Sequence, residues 1–419
     1  MKNSGLRKKE DNVGWLDSVP EQWVVTRNKD IFKERGSLSK SGDETLLTVS
    51  HITGVTPRTE KKVTMFMAES MEGYKHCEKG DLVVNTMWAW MGALGTAKED
   101  GICSPAYGVY APHKGMPYDH RYFDYLYRTP QAIAEMTRNS KGIVSSRLRL
   151  YPKDFFQIKT ALPTQKEQAE ISNYIDLKSK IINRKVELLE KKKNSYAELR
   201  NSIISETVFK GVNKEAPMKD SEIDWIGKTP AHWDVNRVKE VFEVSRGRVI
   251  AKTELADDGV YPVYSSQTKN NGCLGHLSTY DYDGEYITWT TDGANAGTVF
   301  LRSGKFNCTN ICGTLKLKAK KHSLGYLYYV LYICAKHNKR VDTNGAKIMS
   351  NEMKFIKICL PPKSEQEEIF SYLNKNVSII DKISEKIDEE IDSLKLLLTA
   401  IITDAVTGKI KASEKGRCE

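Results

Sequence analysis

Residues 162–208 read LPTQKEQAEISNYIDLKSKIINRKVELLEKKKNSYAELRNSIISETV, and residues 360–406 read LPPKSEQEEIFSYLNKNVSIIDKISEKIDEEIDSLKLLLTAIITDAV. The second copy follows the first at an offset of 198 residues without a gap, keeping Leu-Pro, Glu-Gln, Tyr174/Tyr372, Ile181-Ile182/Ile379-Ile380 and Ile203-Ile204/Ile401-Ile402. A repeat at fixed offset sets the architecture before any local feature is weighed. In the second copy Leu373, Ile380, Ile387, Leu394 and Ile401 form one row at heptad spacing, and Val377, Ile391, Leu398 and Ala405 form another, broken only by Ser384. Alternating steps of three and four make the seam of a coiled coil. The first copy keeps one row as Ile175, Ile182, Leu189, Tyr196 and Ile203, while its other row reads Ser179, Val186, Lys193, Arg200 and Thr207. That weaker seam needs a partner, and the nearest is the other copy. Each helix, roughly 45 residues, would be about 67 Å long.

A chain of 419 residues with net charge +10 and a pI near 8.9 holds two or three domains and suits a polyanionic partner. No apolar run is long enough to span a bilayer, and the opening MKNSGLRKKEDN has no hydrophobic signal region. Both features predict a cytoplasmic protein without a membrane partner. The eight cysteines lack paired metal spacing, and Cys308-x-x-x-Cys312 has no His or Cys pair to accompany it. Reduced thiols, and no metal site, are expected.

A second repeat frames the remainder. Trp15-Leu-Asp-Ser-Val-Pro20-Glu-Gln-Trp23 returns as Trp225-Ile-Gly-Lys-Thr-Pro230-Ala-His-Trp233, with Arg27 and Phe32 answered by Arg237 and Phe242 and residues 1–4 (MKNS) echoed by 218–221 (MKDS). Each half is a globular block entered through P-x-x-W and left through L-P-x-x-x-E-Q into a long helix. The expected boundaries are an N-terminal lead (1–19), a first block (20–161), a helix (162–211), a linker (212–229), a second block (230–359), a second helix (360–408) and a charged, disordered tail (409–419). The block interiors align little. Both mix short β-type runs with Gly, Asn and Asp turns, as in GDLVVNTMWAWMGALGTA and GEYITWTTDGANAGTVFL, and each has a helical stretch, HRYFDYLYRT and LGYLYYVLYICAKH. This predicts α/β (α+β) domains with a mainly antiparallel or mixed sheet. Thr164-x-x-Glu167 fits a capping box and Pro362 a first-turn proline, so L-P-x-x-x-E-Q reads as helix-start chemistry. Lys210-Gly211 and Thr407-Gly408 fit helix ends.

The chain runs block, helix out, block, helix back. Paired helices must then be antiparallel, relating the blocks by an approximate two-fold, with a block at each end of the rod. Duplex DNA has the same kind of two-fold, so two inverted but dissimilar readers suit an asymmetric bipartite sequence with an unread spacer. Rod length allows at most roughly 20 base pairs between centres, and about 10, one helical turn, is the more natural separation.

This ordered set of signatures, from Trp15 to Val406, resembles the specificity subunit of type I restriction-modification enzymes. Gly80-Asp-Leu-Val and Asp100-Gly-Ile-Cys-Ser-Pro-Ala-Tyr107 are further family-like wording, while the long lead before Trp15 and Pro362 depart from it. The resemblance implies that the blocks are target recognition domains and the helices the central and distal conserved regions. It also implies double-stranded DNA, two methyltransferase subunits and motor-nuclease (restriction) subunits as partners. The chain itself would be non-catalytic, with S-adenosylmethionine and ATP/Mg bound by the partners. The residues agree: there is no adenosine-cradling Gly loop with an N-P-P-Y-like tetrapeptide, no G-x-x-x-x-G-K-[ST] and no convincing nuclease carboxylate cluster. A coiled-coil protein-protein adaptor would explain the helices but not the two P-x-x-W blocks. A self-sufficient modification enzyme is opposed by the missing loops.

Base reading needs donors and acceptors on exposed loops, with Lys and Arg on phosphates. The loops offer Ser145, Ser146, Arg147 and Arg149 with Lys141 on phosphate in the first block, and Ser265, Ser266, Gln267, Lys269, Asn270, Asn344 and Lys347 in the second. Ordinary solvated turn residues are the alternative at each. Trp88 and Trp90 alternate as on a strand, which favours core packing over stacking or wedging on DNA. Trp23 and Trp233 mark both block entries and are structural. Lys191-Lys192-Lys193 lie on a solvated helix face or touch the spacer backbone.

Overall fold

The apolar rows form two long helices, Gln165–Lys210 and Lys363–Val406. The computed structural model describes residues 6–8, 14–16, 18–60, 70–144, 147–342 and 345–411. Its contacts divide the chain into two units, residues 1–189 with 389–419 and residues 190–388. Each unit therefore holds one block, the start of that block's own exit helix and the end of the other helix.

Within each unit the two helical segments run antiparallel. In the second, Lys193 Nζ lies 2.6 Å from both Asp388 carboxylate oxygens, and Arg200 Nε lies 2.9 Å from Asp381 Oδ1; one partner's number rises as the other's falls. The polar residues that weakened the first helix's seam are thus met by carboxylates. In the first unit Lys185 Nζ is 2.8 Å from Glu390, and Ile171, Tyr174 and Ile175 share a core with Ala405 and Val406. The seam residues Ile182, Leu373, Val377, Ile380, Ile387 and Ile391 are buried.

The block interiors, unalike in sequence, share one topology. The first has an antiparallel sheet in the order Phe32–Glu34, Tyr107–Pro112, Leu82–Asn85, Leu94–Thr96. The second repeats that order with Phe242–Arg246, Cys312–Leu317, Tyr286–Thr290 and Val299–Arg302. In both, the strand after P-x-x-W pairs with the strand before the exit helix: Val24–Arg27 with Lys159–Leu162, and Asp234–Arg237 with Lys357–Leu360. The predicted helical stretches are His120–Tyr127 and Leu324–Asn338. The blocks diverge chiefly between the first and second sheet strands. There the first block has a hairpin, Leu47–Ser50 with Gly54–Pro57. The second has Tyr261–Tyr264 in a further mixed sheet, antiparallel to Cys273–Leu277 and parallel to Lys305–Cys308.

The exit signature is more than helix-start chemistry. Thr164 Oγ1 does accept from Glu167 N, at 3.3 Å, but the Glu167 carboxylate accepts from the Trp23 indole at 3.0 Å. Gln168 is fully buried. Its amide nitrogen donates to Pro163 O and Pro117 O, and its oxygen accepts from Asp119 N. Gln366 donates to Pro361 O and accepts from Ser323 N, both at 2.8 Å. Asp119 and Ser323 are the N-caps of the block helices, so each glutamine ties two helix starts together.

The helix ends are also closed by the blocks. The Tyr122 hydroxyl donates to Val406 O at 3.1 Å and the Tyr326 hydroxyl to Val208 O at 3.2 Å, carbonyls that a helix terminus leaves open; the Tyr326 hydroxyl also lies 2.8 Å from Cys359 O in the last strand of the block. Burial holds both phenols well above their ordinary pKa, so they remain donors. Gly211 and Gly408 follow with φ of +77° and +72°, the left-handed conformation that ends a helix.

Two details stand at the edges. Residues 1–4 lie outside the described residues, and the strand equivalent to Met218–Asp220, which pairs with Lys228–Pro230, is Leu6–Lys8 against Ser18–Pro20. The tail is not detached from its start: Ile410 packs on the first core, and 412–419 lie outside the described residues.

Replacing Tyr326 by Phe leaves two buried carbonyls without their donor and should lower stability by about 1–3 kcal/mol. Lys193→Ala, which removes a half-exposed ion pair, should cost less than about 1 kcal/mol. Urea titration of the two variants checks the order; equal midpoints would show that the tyrosine does not close the helix end.

Candidate nucleic-acid interface

In the first unit, Lys141 and Arg149 exchange both backbone hydrogen bonds at 2.9 Å and form the neck of a narrow ribbon. Gly142 makes it possible, since a Cβ there would lie 2.6 Å from Arg147 O. Ile143 and Val144 are exposed at the tip, as are the Arg147 and Arg149 side chains. Neither arginine pairs with a carboxylate among the described residues. Lys141 is not free for phosphate: its ammonium lies 2.7 Å from Asp154 Oδ1. Ser145 and Ser146 lie outside the described residues.

Just beyond the ribbon, Leu150 N donates to Thr86 O and ties it to the turn between strands Leu82–Asn85 and Leu94–Thr96. Here the strand reading of Trp88 and Trp90 fails. Ala89–Met91 is a single helical turn closed by Gly92 at φ +83°, which sits against Ile133 so closely that a Cβ would lie 2.7 Å from it. The turn sends Ala89 into the core and leaves Trp88 50% exposed, flanked by exposed Met87 and Met91. Trp90 is half-buried and donates to Met87 O at 2.9 Å.

In the second unit the candidates separate into buried and presented groups. Ser265 is buried, its hydroxyl 3.2 Å from Thr309 Oγ1, because it ends a sheet strand; it is not a surface reader. The Gln267 amide donates to Cys273 O and closes its own loop. Lys269 and Asn270 are exposed at the tip, where Asn270 and Asn271 take φ of 49° and 52°. Beneath them Arg302 is 3% exposed. Its guanidinium lies 3.5 Å from the Tyr264 ring centre and 4.4 Å from that of Phe300, and burial lowers its pKa. Arg302 thus supports the loop from inside.

Ser266 O accepts from Asn295 Nδ2 at 2.9 Å, Gly293 N donates to Ala346 O at 3.0 Å and Ile348 N to Thr291 O at 2.9 Å. Asp292 bridges to Lys347 through the backbone. The turn 291–298 therefore joins two candidate loops that are far apart in sequence into one patch holding Ser266 and Lys347. Asn344 lies outside the described residues. Asp292 and Asn295 escaped the sequence reading, which took this stretch as a plain turn. The available signal was a shared pattern: Thr86 and Gly92 stand at the same spacing as Thr291 and Gly297.

Of the three adjacent lysines on the first helix, Lys193 is committed to Asp388. Among the described residues no cluster of His, Cys, Asp and Glu could hold a metal ion, and no helix is long and apolar enough to cross a membrane. The arrangement offers two sets of presented loops on repeated scaffolds.

Residues 230–393 match the family described as the type I restriction modification DNA specificity domain. A Mycoplasma pneumoniae protein described as type I specificity subunit S.MpnORF365P is 34% identical over 223 residues, 53% of this chain and 76% of the relative. The N-terminus of S.MpnORF289P from the same bacterium is 40% identical over 139 residues, 33% of this chain and 74% of the relative. A chain from a structural study of complex assembly and conformational transition of the type I R-M system shares the fold with a TM-score of 0.68 at 14% identity, covering 94% of this chain and 99% of that one. The HsdS subunit from Thermoanaerobacter tengcongensis does so with a TM-score of 0.51 at 15% identity, covering 94% and 98%. With shared signatures, repeated domains and relatives matched over most of their length, this chain belongs to the type I restriction-modification specificity subunits.

Proposed function

We propose that this chain reads DNA for a type I restriction-modification complex, its two target recognition domains binding the two parts of an asymmetric bipartite duplex site. The observation that carries the reading is a constant frame with unlike contents. Sheet order, helix closures and exit glutamines repeat, whereas the presented loops differ in length and chemistry between the domains. A protein adaptor has no need of such a pair; a split, asymmetric target does. The chain itself is non-catalytic and works in the cytoplasm. Methyl transfer with S-adenosylmethionine, and translocation and cleavage with ATP and Mg²⁺, belong to two methyltransferase subunits and the motor-nuclease subunits that join them.

The helices support two equivalent docking faces. The repeat leaves the same apolar residues uncovered twice: Ile181 and Ile379, 54% and 49% exposed, and Leu199 and Leu397, 46% and 50%. The first unit holds Ile181 and Leu397, the second Ile379 and Leu199. Uncovered apolar residues at matched positions favour one kind of partner in two copies.

Ile181→Asp with Leu397→Asp should reduce the methyltransferase subunits retained per chain from two to one, read by native mass spectrometry of the co-expressed complex; retention of two would place docking elsewhere. Arg147→Ala should weaken binding to the recognised duplex by about 1–3 kcal/mol and relax preference in one half-site only. An equal loss on every sequence would assign this arginine to phosphate.

A further inference from the structure

The turn that follows the second sheet strand occupies one place in both domains. It spans 86–93 in the first and 291–298 in the second, with equal length. Its first residue is threonine in each, and the carbonyl accepts from Leu150 N or Ile348 N. Its glycine has φ +83° or +81° and presses on a helix of its domain, at Ile133 in Pro130–Arg138 or at the Ala335 carbonyl in Leu324–Asn338. Between these anchors the chemistry is opposite. The second domain carries Asp292 and Asn295, beside Ser266 and Lys347; the first carries Met87, Trp88 and Met91, all exposed.

Trp88 is not a lone exposed residue but the centre of a contiguous apolar patch with Met87 and Met91, and such patches mark interaction sites. The surroundings of Trp88 indicate the partner. The loop tied to its turn through Leu150 presents Arg147 and Arg149, both exposed, while Lys141 at its base is held by Asp154. A surface both apolar and cationic fits the edge of a polyanion. In the major groove the one apolar feature of the bases is the thymine C5-methyl group. Flanking methionines add adaptable apolar surface.

Resting on the DNA-reading assignment above, we propose that Trp88 is a specificity-determining residue of the first domain, making apolar contact with thymine methyl groups in its half-site. The second domain, polar at the same place, reads by hydrogen bonding instead.

The test uses the full chain co-expressed with its methyltransferase subunit and a duplex carrying the methylated sequence mapped in the host. Thymines of each half-site are replaced in turn by uracil, which removes the methyl group alone. For the unaltered protein, uracil in one half should weaken binding about ten-fold, and W88A should show a similar loss on the thymine duplex. On that uracil duplex W88A should lose nothing further, whereas it should behave independently of uracil in the other half. W88F should retain most of the affinity, and unchanged thermal unfolding of both variants separates contact from folding. Full affinity of W88A, additive losses in both halves, or a target with thymine in neither half overturns the proposal. So does loss of methyltransferase retention with DNA affinity intact, which would make the patch a protein-docking face. Failure of the unaltered complex to prefer its methylated sequence would instead overturn the DNA-reading assignment.

Discussion

The indole of Trp23 is where three distant parts of the first unit meet: the entry turn at Pro20, the start of the exit helix at Glu167, and the end of the returning helix at Gly408. A side chain at position 408 would collide with Pro20 and crowd the indole ring; Glu167 accepts the indole proton, and Tyr122 meets the ring edge-on at 6.5 Å. The second unit repeats the packing at Trp233 against Gly211 but not the hydrogen bond. Glu365 there takes His232 at 2.8 Å, and Trp233 Nε1 has no partner among the described residues. Magnitudes explain why one can vary while the other cannot. An indole hydrogen bond contributes about 1 kcal/mol net, whereas an aromatic ring burying about 150–250 Å² contributes roughly 4–6 kcal/mol by area. Apolar closure is the shared constraint, and the polar contact is an adjustment to it.

Much of this frame was legible in the sequence because it is written in local spacing. Heptad rows located both helices, and the prolines and glycines located their ends. What spacing could not convey was the meaning of P-x-x-W and L-P-x-x-x-E-Q, since Trp23 and Glu167 are separated by most of a domain. Read alone, Glu167 looks like a cap residue and the Glu-Gln pair like helix-start chemistry; only folding shows Gln168 buried with its amide saturated. The common sheet order was hidden for a different reason. A strand buried on both faces accepts many apolar residues, so Leu82–Asn85 and Tyr286–Thr290 preserve position without preserving identity.

The site was less legible. Loop composition pointed to stretches that include exposed loop tips, yet Ser265 and Gln267 turned inward to satisfy their own loop, and Lys141 found Asp154. Polar side chains in turns serve the local backbone as readily as a ligand, and composition does not separate the two uses. Trp88 erred in the other direction: alternation of two tryptophans resembles a strand, but a single helical turn ended by Gly92 puts the side chains on unlike sides.

Frame and presented turns are energetically separate, and this follows from where the anchors lie. Each turn after the second strand is held at its threonine by a carbonyl hydrogen bond and at its glycine by contact with a helix, Pro130–Arg138 or Leu324–Asn338. The register is set outside the turn: the strand before it is paired on its far side with Tyr107–Pro112 or Cys312–Leu317, and the edge strand after it pairs with that strand directly. The intervening side chains can therefore change from apolar to polar without disturbing the closure around Trp23 or Trp233. Substitution of the glycine cannot be absorbed so easily, since φ near +80° penalises any side chain by about 1–2 kcal/mol, and at Gly92 a Cβ would also strike Ile133. The residues between the anchors are open to change, while the anchors are fixed by packing against the helices of the domain.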